Sequence, residues 1–274
     1  MFATSMIVKK AVSLLTLFLL VVLSAAVLAQ TKPRRTDVGG EPPQLVMWVG
    51  NSFFYYNNSM HNHALNLIRA ADPQRRARGV SVTISGSGID WHDMESYFRP
   101  NGIGRYSFVG DNEIVFNKPG RQFDAVIMMD CSQCPIHPQL KSVFHEFVKK
   151  QSDTVVKNGA RPVLFMSWAY KDKPEMTAQL AEQYTIAGNN NDALVIPAGL
   201  AFAKAIAKRP DLELYQLDKR HPSLLGTYLA ACTTYAAVYG KSPVGNAYTA
   251  GIEPALAAFL QNTAQETVRE YFGN

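Results

Sequence analysis

Short apolar runs alternate with longer helical stretches along most of the chain, beginning at Gln44. Five runs are short, rich in β-branched or bulky side chains, and bounded by Gly, Pro or polar residues, which is typical of buried strands. These runs are residues 45–49, 80–85, 125–129, 163–167 and 194–196. The pattern therefore predicts a sheet whose strands are covered on both faces.

Helical patterns separate the predicted strands. They cover residues 58–71, 139–157, 174–187, 200–207, 222–239 and 254–271. Because parallel strands need long crossover connections, this alternation indicates a parallel sheet. Right-handed crossovers then predict a three-layer α/β/α sandwich with a central, mainly parallel five-stranded sheet. Residues 90–122 are less regular and predict an insertion or a lid.

The first 29 residues have the pattern of an export signal. Lys9 and Lys10 precede an apolar run, and small side chains before Gln30 fit a signal-peptidase site. We interpret residues 1–29 as a signal peptide that directs the protein to the periplasm or the medium. The alternative is an uncleaved membrane anchor, because about 18 apolar residues are borderline for spanning a bilayer. If the signal is cleaved, the mature protein has no membrane span.

The remainder of the chain divides into two predicted parts. Residues 30–43 carry Pro, Arg and Gly without an apolar period and predict a linker. Residues 44–274 have a length that suits one α/β domain.

Charge and cysteine content exclude some classes of protein. The formal net charge is +5, and two of the positive charges lie in the predicted signal peptide. This charge is too weak and too scattered to indicate nucleic-acid binding. The three cysteines, Cys131, Cys134 and Cys232, cannot supply a disulfide framework for a chain of this size. An apolar core must stabilise the fold instead.

The end of the first predicted strand carries a candidate nucleophile. Ligands bind at the carboxyl ends of the strands in an open parallel sheet, and this strand ends in Gly50, Asn51 and Ser52. Gly50 permits a sharp turn. Ser52 then lies near a helix start, where unpaired backbone N–H groups favour developing negative charge. The alternative is that Asn51 or Ser52 only caps the helix.

The ends of the second and third predicted strands carry candidate hydrogen-bond donors. Backbone N–H groups near Gly86 and Gly88 can face a substrate oxygen, or the glycines only form a tight turn. Gln133 follows the third strand and can donate from its side-chain amide. It lies between Cys131 and Cys134, which form a redox pair, a disulfide or two free thiols. No further ligands at a spacing that suits zinc accompany this pair.

Asp218 and His221 form a DxxH motif near the end of the chain. A histidine three residues after an aspartate, in a loop before a helix, can present its ring to an active site. The carboxylate then hydrogen-bonds the far ring nitrogen and selects the tautomer. Pro222, at the predicted first helical position, restricts the backbone where the loop that carries His221 enters the helix. The alternative is that His221 caps the helix and Asp218 lies in a turn.

The order of these motifs resembles the SGNH/GDSL hydrolase superfamily over residues 45–245. The sequence Gly-Asn-Ser ending at Ser52 is similar to the first block of that family, and Asp218 with His221 is similar to its last block. The resemblance implies a flavodoxin-like α/β/α fold. It also implies a catalytic triad of Ser52, His221 and Asp218, in which the histidine activates the serine.

The same resemblance implies an oxyanion hole. The backbone N–H of Ser52 is one donor, and Gly86 is the best positional match for the second, with Gly88 as the alternative. The third block of the family usually reads GxND, and this chain lacks it. Gln133 is our candidate for the third donor, and Ser132 is the alternative.

The function implied by the resemblance is that of an exported serine esterase. Its substrate would be a small-molecule or carbohydrate ester, which includes the activity of a carbohydrate deacetylase, and it would need no metal and no organic cofactor. Five aromatic residues are candidates for stacking on sugar rings or lining an acyl pocket. These are Phe53, Tyr55, Tyr56, Trp91 and Trp168. Two alternatives remain: a non-catalytic binding protein with this fold, and a thiol–disulfide protein that uses the CxxC motif.

Overall fold

The computed structural model describes residues 31–99, 102–103, 106–116 and 121–273. The predicted signal peptide, residues 1–29, lies outside the described residues. The strands are β1 (Leu45–Gly50), β2 (Arg78–Thr83), β3 (Tyr106–Gly110), β4 (Glu113–Phe116), β5 (Ala125–Met128), β6 (Arg161–Phe165) and β7 (Leu194–Ile196).

Five of these strands form the central sheet of the described part of the chain. Their order is β2-β1-β5-β6-β7, and every pairing is parallel. All residues of β5 and β7 are buried, as expected for strands covered on both faces. The predicted five-stranded parallel sheet is confirmed.

Helices cover both faces of this sheet. The α-helices of the described residues are α1 (Ser52–Tyr55), α2 (Met60–Ala71), α3 (Met94–Tyr97), α4 (Lys141–Lys157), α5 (Met176–Asn190), α6 (Ala198–Lys208), α7 (Leu224–Tyr239) and α8 (Pro254–Phe272). In one layer α7 packs against α2, α6 and α8, and in the other α4 packs against α5. The predicted three-layer sandwich is confirmed.

The central helix α7 also positions the loop that precedes it. Every residue from Gly226 to Tyr239 is buried, which is typical of a helix that is apolar on all sides. A Cβ atom at Gly226 would lie 2.3 Å from the carbonyl oxygen of Leu214. Glycine therefore lets α7 approach the segment that leads to Asp218 and His221.

The start of α7 differs from the predicted start at Pro222. Ser223 caps the helix, because its hydroxyl accepts a hydrogen bond from the backbone N–H of Gly226 at 3.3 Å, and the helix begins at Leu224. Pro222 lies before this cap, where its backbone forms an isolated bridge with Tyr215.

The irregular segment between β2 and β5 contains an additional ribbon. It holds a 3-10 helix (Ile89–Trp91), α3, and the antiparallel pair β3–β4. Cross-strand pairing joins Tyr106 to Phe116 and Phe108 to Ile114, so these four exposed apolar side chains share one face. The segment therefore forms an insertion outside the central sheet, and its function as a lid stays a prediction.

The segment before β1 lies along the domain. The guanidinium of Arg161 donates hydrogen bonds to the carbonyl oxygens of Gly39 and Glu41, the latter at 2.9 Å. Arg35 forms an ion pair with Asp192. Among the described residues, none of the helices has the length and apolar content needed to cross a membrane.

Candidate active site

Ser52 lies at the junction between β1 and α1, and a neighbouring residue caps the helix. The side-chain oxygen of Asn51 accepts a hydrogen bond from the backbone N–H of Phe53 at 3.1 Å. A Cβ atom at Gly50 would lie 2.5 Å from the side chain of Met129, so glycine allows the close approach that this turn needs. Because Asn51 is the cap, the Ser52 hydroxyl is available to another partner.

The partner of Ser52 is His221, which lies 169 positions later in the chain. The distance between Ser52 Oγ and His221 Nε2 is 2.8 Å. On the opposite side of the ring, His221 Nδ1 forms a hydrogen bond with Asp218 Oδ2. Since a carboxylate can only accept, Nδ1 carries the proton and Nε2 accepts the bond from the serine. The structure brings together the three side chains that the sequence predicts as a triad.

The backbone around Asp218 fixes the orientation of its carboxylate. Oδ1 accepts hydrogen bonds from the backbone N–H groups of Arg220 at 2.9 Å and His221 at 3.0 Å. Desolvation raises the pKa of Asp218, but the hydrogen bonds from the His221 ring and these two amides outweigh it and hold the pKa below its ordinary value. The carboxylate is therefore ionised and acceptor-only beside the ring.

Aromatic rings hold His221 from two sides. Tyr56 stacks on the imidazole with 4.3 Å between ring centroids, and Phe53 meets it edge-on at 5.5 Å. Phe53 also stacks on Trp168 at 4.8 Å, and both of these side chains are buried. Of the five aromatic candidates for stacking on a sugar or lining an acyl pocket, Phe53 and Trp168 therefore belong to the core. Trp168 instead donates a hydrogen bond to the carbonyl oxygen of Arg220 at 2.9 Å, which ties down the histidine loop.

Asn57 is a positioning residue that sequence reasoning missed. Its side-chain amide donates hydrogen bonds to the carbonyl oxygen of Pro222 and to Thr227 Oγ1, each at 2.8 Å. The backbone of Asn57 is left-handed, with φ of 52°. Asparagine adopts this conformation more readily than most residues, so the Asn57-Asn58 pair was the available signal.

The candidate oxyanion donors lie in turns that follow three neighbouring strands. Gly86 has φ of +71° and no atom within 4 Å of the position where a Cβ would stand, so a ligand can approach it. Gln133 is half-buried and directly precedes the 3-10 helix Cys134–Ile136. The alternative donor Ser132 has its hydroxyl 2.6 Å from the hydroxyl of Tyr170. The oxyanion roles of Ser52, Gly86 and Gln133 stay predictions.

Asp130 ties two of these turns together. Its Oδ1 accepts hydrogen bonds from the backbone N–H groups of Ile89 at 2.8 Å and Cys131 at 2.7 Å. The amide of Asn51 reaches both turns as well, donating to the carbonyl oxygens of Ser87 at 2.9 Å and Asp130 at 3.3 Å. Burial raises the pKa of Asp130 to about 6, although the two backbone hydrogen bonds act in the opposite direction.

Cys131 and Cys134 form a disulfide, one of the three states that the sequence left open. The ligand atoms of Asp130, Cys131 and Cys134 lie within 4.8 Å of one another. Both sulfur atoms are engaged in the disulfide, so they cannot act as the thiolates that zinc requires. The remaining cysteine, Cys232, is buried in α7, and this burial raises the pKa of its thiol.

Comparison with known proteins identifies the fold. No family model matches the sequence, and no curated protein does. A protein described as a GDSL-like lipase, from Parabacteroides merdae, has a TM-score of 0.55 and 10% identity, covering 74% of this chain and 99% of that one. A protein assigned as an SGNH hydrolase, from Slackia heliotrinireducens, has a TM-score of 0.50 and 20% identity, covering 71% and 98%.

A third solved structure is a variant of an acetyl-xylooligosaccharide esterase from Geobacillus stearothermophilus. Its TM-score is 0.50 at 13% identity, and the match covers 78% of this chain and 97% of that one. Identities this low establish a shared fold. The chain has the fold of the SGNH/GDSL hydrolases, and the resemblance seen in the sequence is confirmed at that level.

Proposed function

We propose that the protein is a serine hydrolase that cleaves carboxylic esters. The observation that carries this proposal is the continuous hydrogen-bond relay from Ser52 Oγ through the His221 ring to Asp218. The relay lies at the carboxyl end of β1, where an open parallel sheet binds its ligands. A base within hydrogen-bond reach of a hydroxyl, itself oriented by a carboxylate, is the geometry that activates a serine.

The proposed reaction proceeds through an acyl-enzyme. His221 Nε2 takes the hydroxyl proton of Ser52 while Oγ attacks the carbonyl carbon of the ester. The bond to the alcohol oxygen then breaks, and His221 returns the proton to that oxygen. Water repeats both steps and releases the acid. The backbone N–H groups of Ser52 and Gly86 and the amide of Gln133 would hold the oxyanion, and no step requires a metal or an organic cofactor.

The test is hydrolysis of a short-chain p-nitrophenyl ester by the mature protein and by Ser52→Ala. The expected loss in kcat is about 10⁴-fold to 10⁶-fold, the range found when a member of a catalytic triad is removed. Ser85→Ala is the matched control, because Ser85 is an exposed serine in the turn after β2, and its hydroxyl pairs with that of Tyr55. Equal activity of Ser52→Ala and the unaltered protein would remove Ser52 from the nucleophile role.

We also propose that the protein is exported, with residues 1–29 as signal peptide, 30–43 as linker and 44–274 as hydrolase domain. The proposal rests on the charged and apolar pattern of the first residues. Intact mass and N-terminal sequencing of the protein from the producing cell test it. We expect a mature chain that starts at Gln30. A full-length chain recovered from the membrane would contradict cleavage and would indicate that residues 1–29 are an uncleaved anchor.

We propose a small-molecule or carbohydrate ester as the substrate. The solved structure of similar fold that is described as an acetyl-xylooligosaccharide esterase supports a carbohydrate ester among the candidates. The exposed ring of Tyr55 is available to stack on a sugar, and that of Trp91 to stack on a sugar or to line an acyl pocket. Release of acid from acylated oligosaccharides, compared with release from p-nitrophenyl esters, tests this substrate class.

A further inference from the structure

A cleft of about 290 Å³ lies between the turn after β2, the turn after β5 and the start of α4. Gly86 forms one wall, and Trp91, Leu140 and Val143 supply its apolar surface. Trp91 is 61% exposed and Leu140 is 40% exposed, so the indole ring and the leucine side chain both face solvent. An apolar concave surface that includes backbone donors is typical of a ligand pocket.

The cleft adjoins the site of the proposed reaction. Its wall includes Gly86, the proposed oxyanion donor, and Asp130, whose carbonyl oxygen accepts a hydrogen bond from Asn51. Asn51 immediately precedes Ser52. A substrate carbonyl held by Ser52 and Gly86 would therefore lie at the mouth of the cleft.

The stereochemistry of the reaction decides which part of an ester enters this cleft. The alcohol oxygen must lie within hydrogen-bond reach of His221 Nε2, because that nitrogen returns the proton to it. The imidazole is held on the α1 side, stacked on Tyr56. The acyl chain is the other substituent of the carbonyl carbon, so it points away from His221. The cleft lies on that side, because its lining includes Gly86 and no residue of the loop that carries His221.

We propose that the cleft binds the acyl chain, and that the substrates are esters of uncharged acyl chains longer than acetyl. This inference rests on the proposed function. A volume of about 290 Å³ lies near the lower end of the range for small-molecule pockets, so an acetyl group would leave most of the cleft empty. Asp90 and Asp130 belong to the cleft lining, and their carboxyl groups disfavour an acyl chain that carries its own negative charge.

The first experiment measures kcat/KM for p-nitrophenyl acetate, butanoate, hexanoate and octanoate below their aggregation limits. Burial of one methylene is expected to raise kcat/KM by up to about four-fold, so the values should climb until the cleft is full. The succinyl half-ester should react more slowly than butanoate. A preference of the unaltered protein for acetate over hexanoate would overturn the proposal.

The second experiment fills the cleft. In Val143→Trp the ratio of kcat/KM for hexanoate to that for acetate should fall at least ten-fold. In Val143→Ala the ratio of kcat/KM for octanoate to that for acetate should rise. Val156→Trp is the matched control, because Val156 lies on the same helix, is 58% exposed and is no part of the cleft wall. Leu140→Trp serves as a second cleft-filling variant if Val143→Trp fails to fold.

The outcomes separate this inference from the proposed function. An unchanged chain-length ratio in the folded cleft variants, with active protein, overturns the acyl-chain assignment and leaves the esterase proposal standing. An absence of hydrolysis of every ester, together with no reaction with a fluorophosphonate, overturns both. A fall in the ratio that Val156→Trp reproduces also contradicts the assignment, because the effect would not depend on the cleft.

Discussion

Asn51 and Tyr56 determine how Ser52 and His221 meet. Asn51 caps α1 and so leaves the Ser52 hydroxyl to the imidazole, while its amide group holds the two turns that flank the site. Tyr56 directly follows the same short helix and stacks on the ring at 11° between planes. The helix start therefore positions both the nucleophile and its base.

Tyr56 is predicted to stabilise the imidazolium that forms when His221 takes the serine proton. A cation over an aromatic face at a partly exposed site is worth about 0.5–1 kcal/mol. Tyr56→Leu should therefore lower kcat by about two- to five-fold, whereas Tyr56→Phe, which keeps the ring, should stay near the unaltered value. Steady-state kinetics on one ester checks this, and equal kcat for the Leu and Phe variants would contradict it.

The raised pKa of Asp130 predicts that the stability of the protein depends on pH. Its pKa of about 6 in the folded protein lies above the value of about 3.9 in an unfolded chain. The stability that this group contributes is fully present below the unfolded pKa, and it is lost as the pH rises through the folded pKa. Asp130→Asn keeps the oxygen that accepts from Ile89 and Cys131 and removes the charge.

Asp130→Asn should therefore become more stable relative to the unaltered protein as the pH rises. Between pH 4 and pH 8 its free energy of unfolding should gain about 2–3 kcal/mol over that of the unaltered protein. Urea unfolding at each pH measures it. Asp124→Asn is the control of opposite sign: burial raises the pKa of Asp124, but hydrogen bonds from the amides of Leu45 and Gln44 and the Arg121 guanidinium bring it below its ordinary value. A pH-independent difference for Asp130→Asn would show that the carboxyl is not perturbed.

At the scale of elements, the turn after β5 is the most constrained part of the candidate site. The disulfide between Cys131 and Cys134 closes the turn that carries Gln133, and the hydrogen bond between Ser132 and Tyr170 holds its middle. Rigid support of this kind is what a precisely placed donor needs. The chain thus has a covalent link at the position where the family's usual GxND block is missing.

Loss of this disulfide is predicted to affect catalysis more than stability. A loop this short contributes only about 2 kcal/mol through chain entropy. Cys131→Ser/Cys134→Ser should therefore remain folded, but kcat should fall about ten-fold or more because the Gln133 donor is less well placed. Dithiothreitol followed by reoxidation should lower and then restore the activity of the unaltered protein. Identical kcat in both redox states would exclude this role.

The elements themselves could be predicted because their patterns are local. The runs that became β1 and β5 are continuous and apolar, although the predicted start of α7 at Pro222 missed the cap at Ser223. The ribbon β3–β4 was missed, because apolar periodicity reports burial, and the apolar side chains of the ribbon are exposed: Tyr106, Phe108, Ile114 and Phe116.

The candidate triad could be predicted because its three residues sit at strand ends in a recognisable order. The contacts around it could not. The stacking of Tyr56 on His221 and the hydrogen bonds from Asn57 to Pro222 join residues more than 160 positions apart. Such tertiary contacts leave no local pattern. The same limit explains why the sequence could not separate Phe53 and Trp168, which stack on each other in the core, from the exposed aromatic candidates.

At the scale of the whole molecule, the parallel sheet assembles the candidate site. The turns after β1, β2 and β5 converge on one edge of the sheet, and α7 carries the loop with Asp218 and His221 to the same edge. Ser52 therefore acquires its partner only in the folded protein, and its reactivity reports on the whole arrangement.

Covalent labelling by a fluorophosphonate is the most direct test of the account. Such a probe phosphonylates a serine only where a base activates it. The folded mature protein should gain one adduct, peptide mass spectrometry should place it on Ser52, and His221→Ala should abolish it while Ser85→Ala reacts normally. A folded protein that gains no adduct, or gains it at another residue, would contradict the proposal that Ser52 is an activated nucleophile.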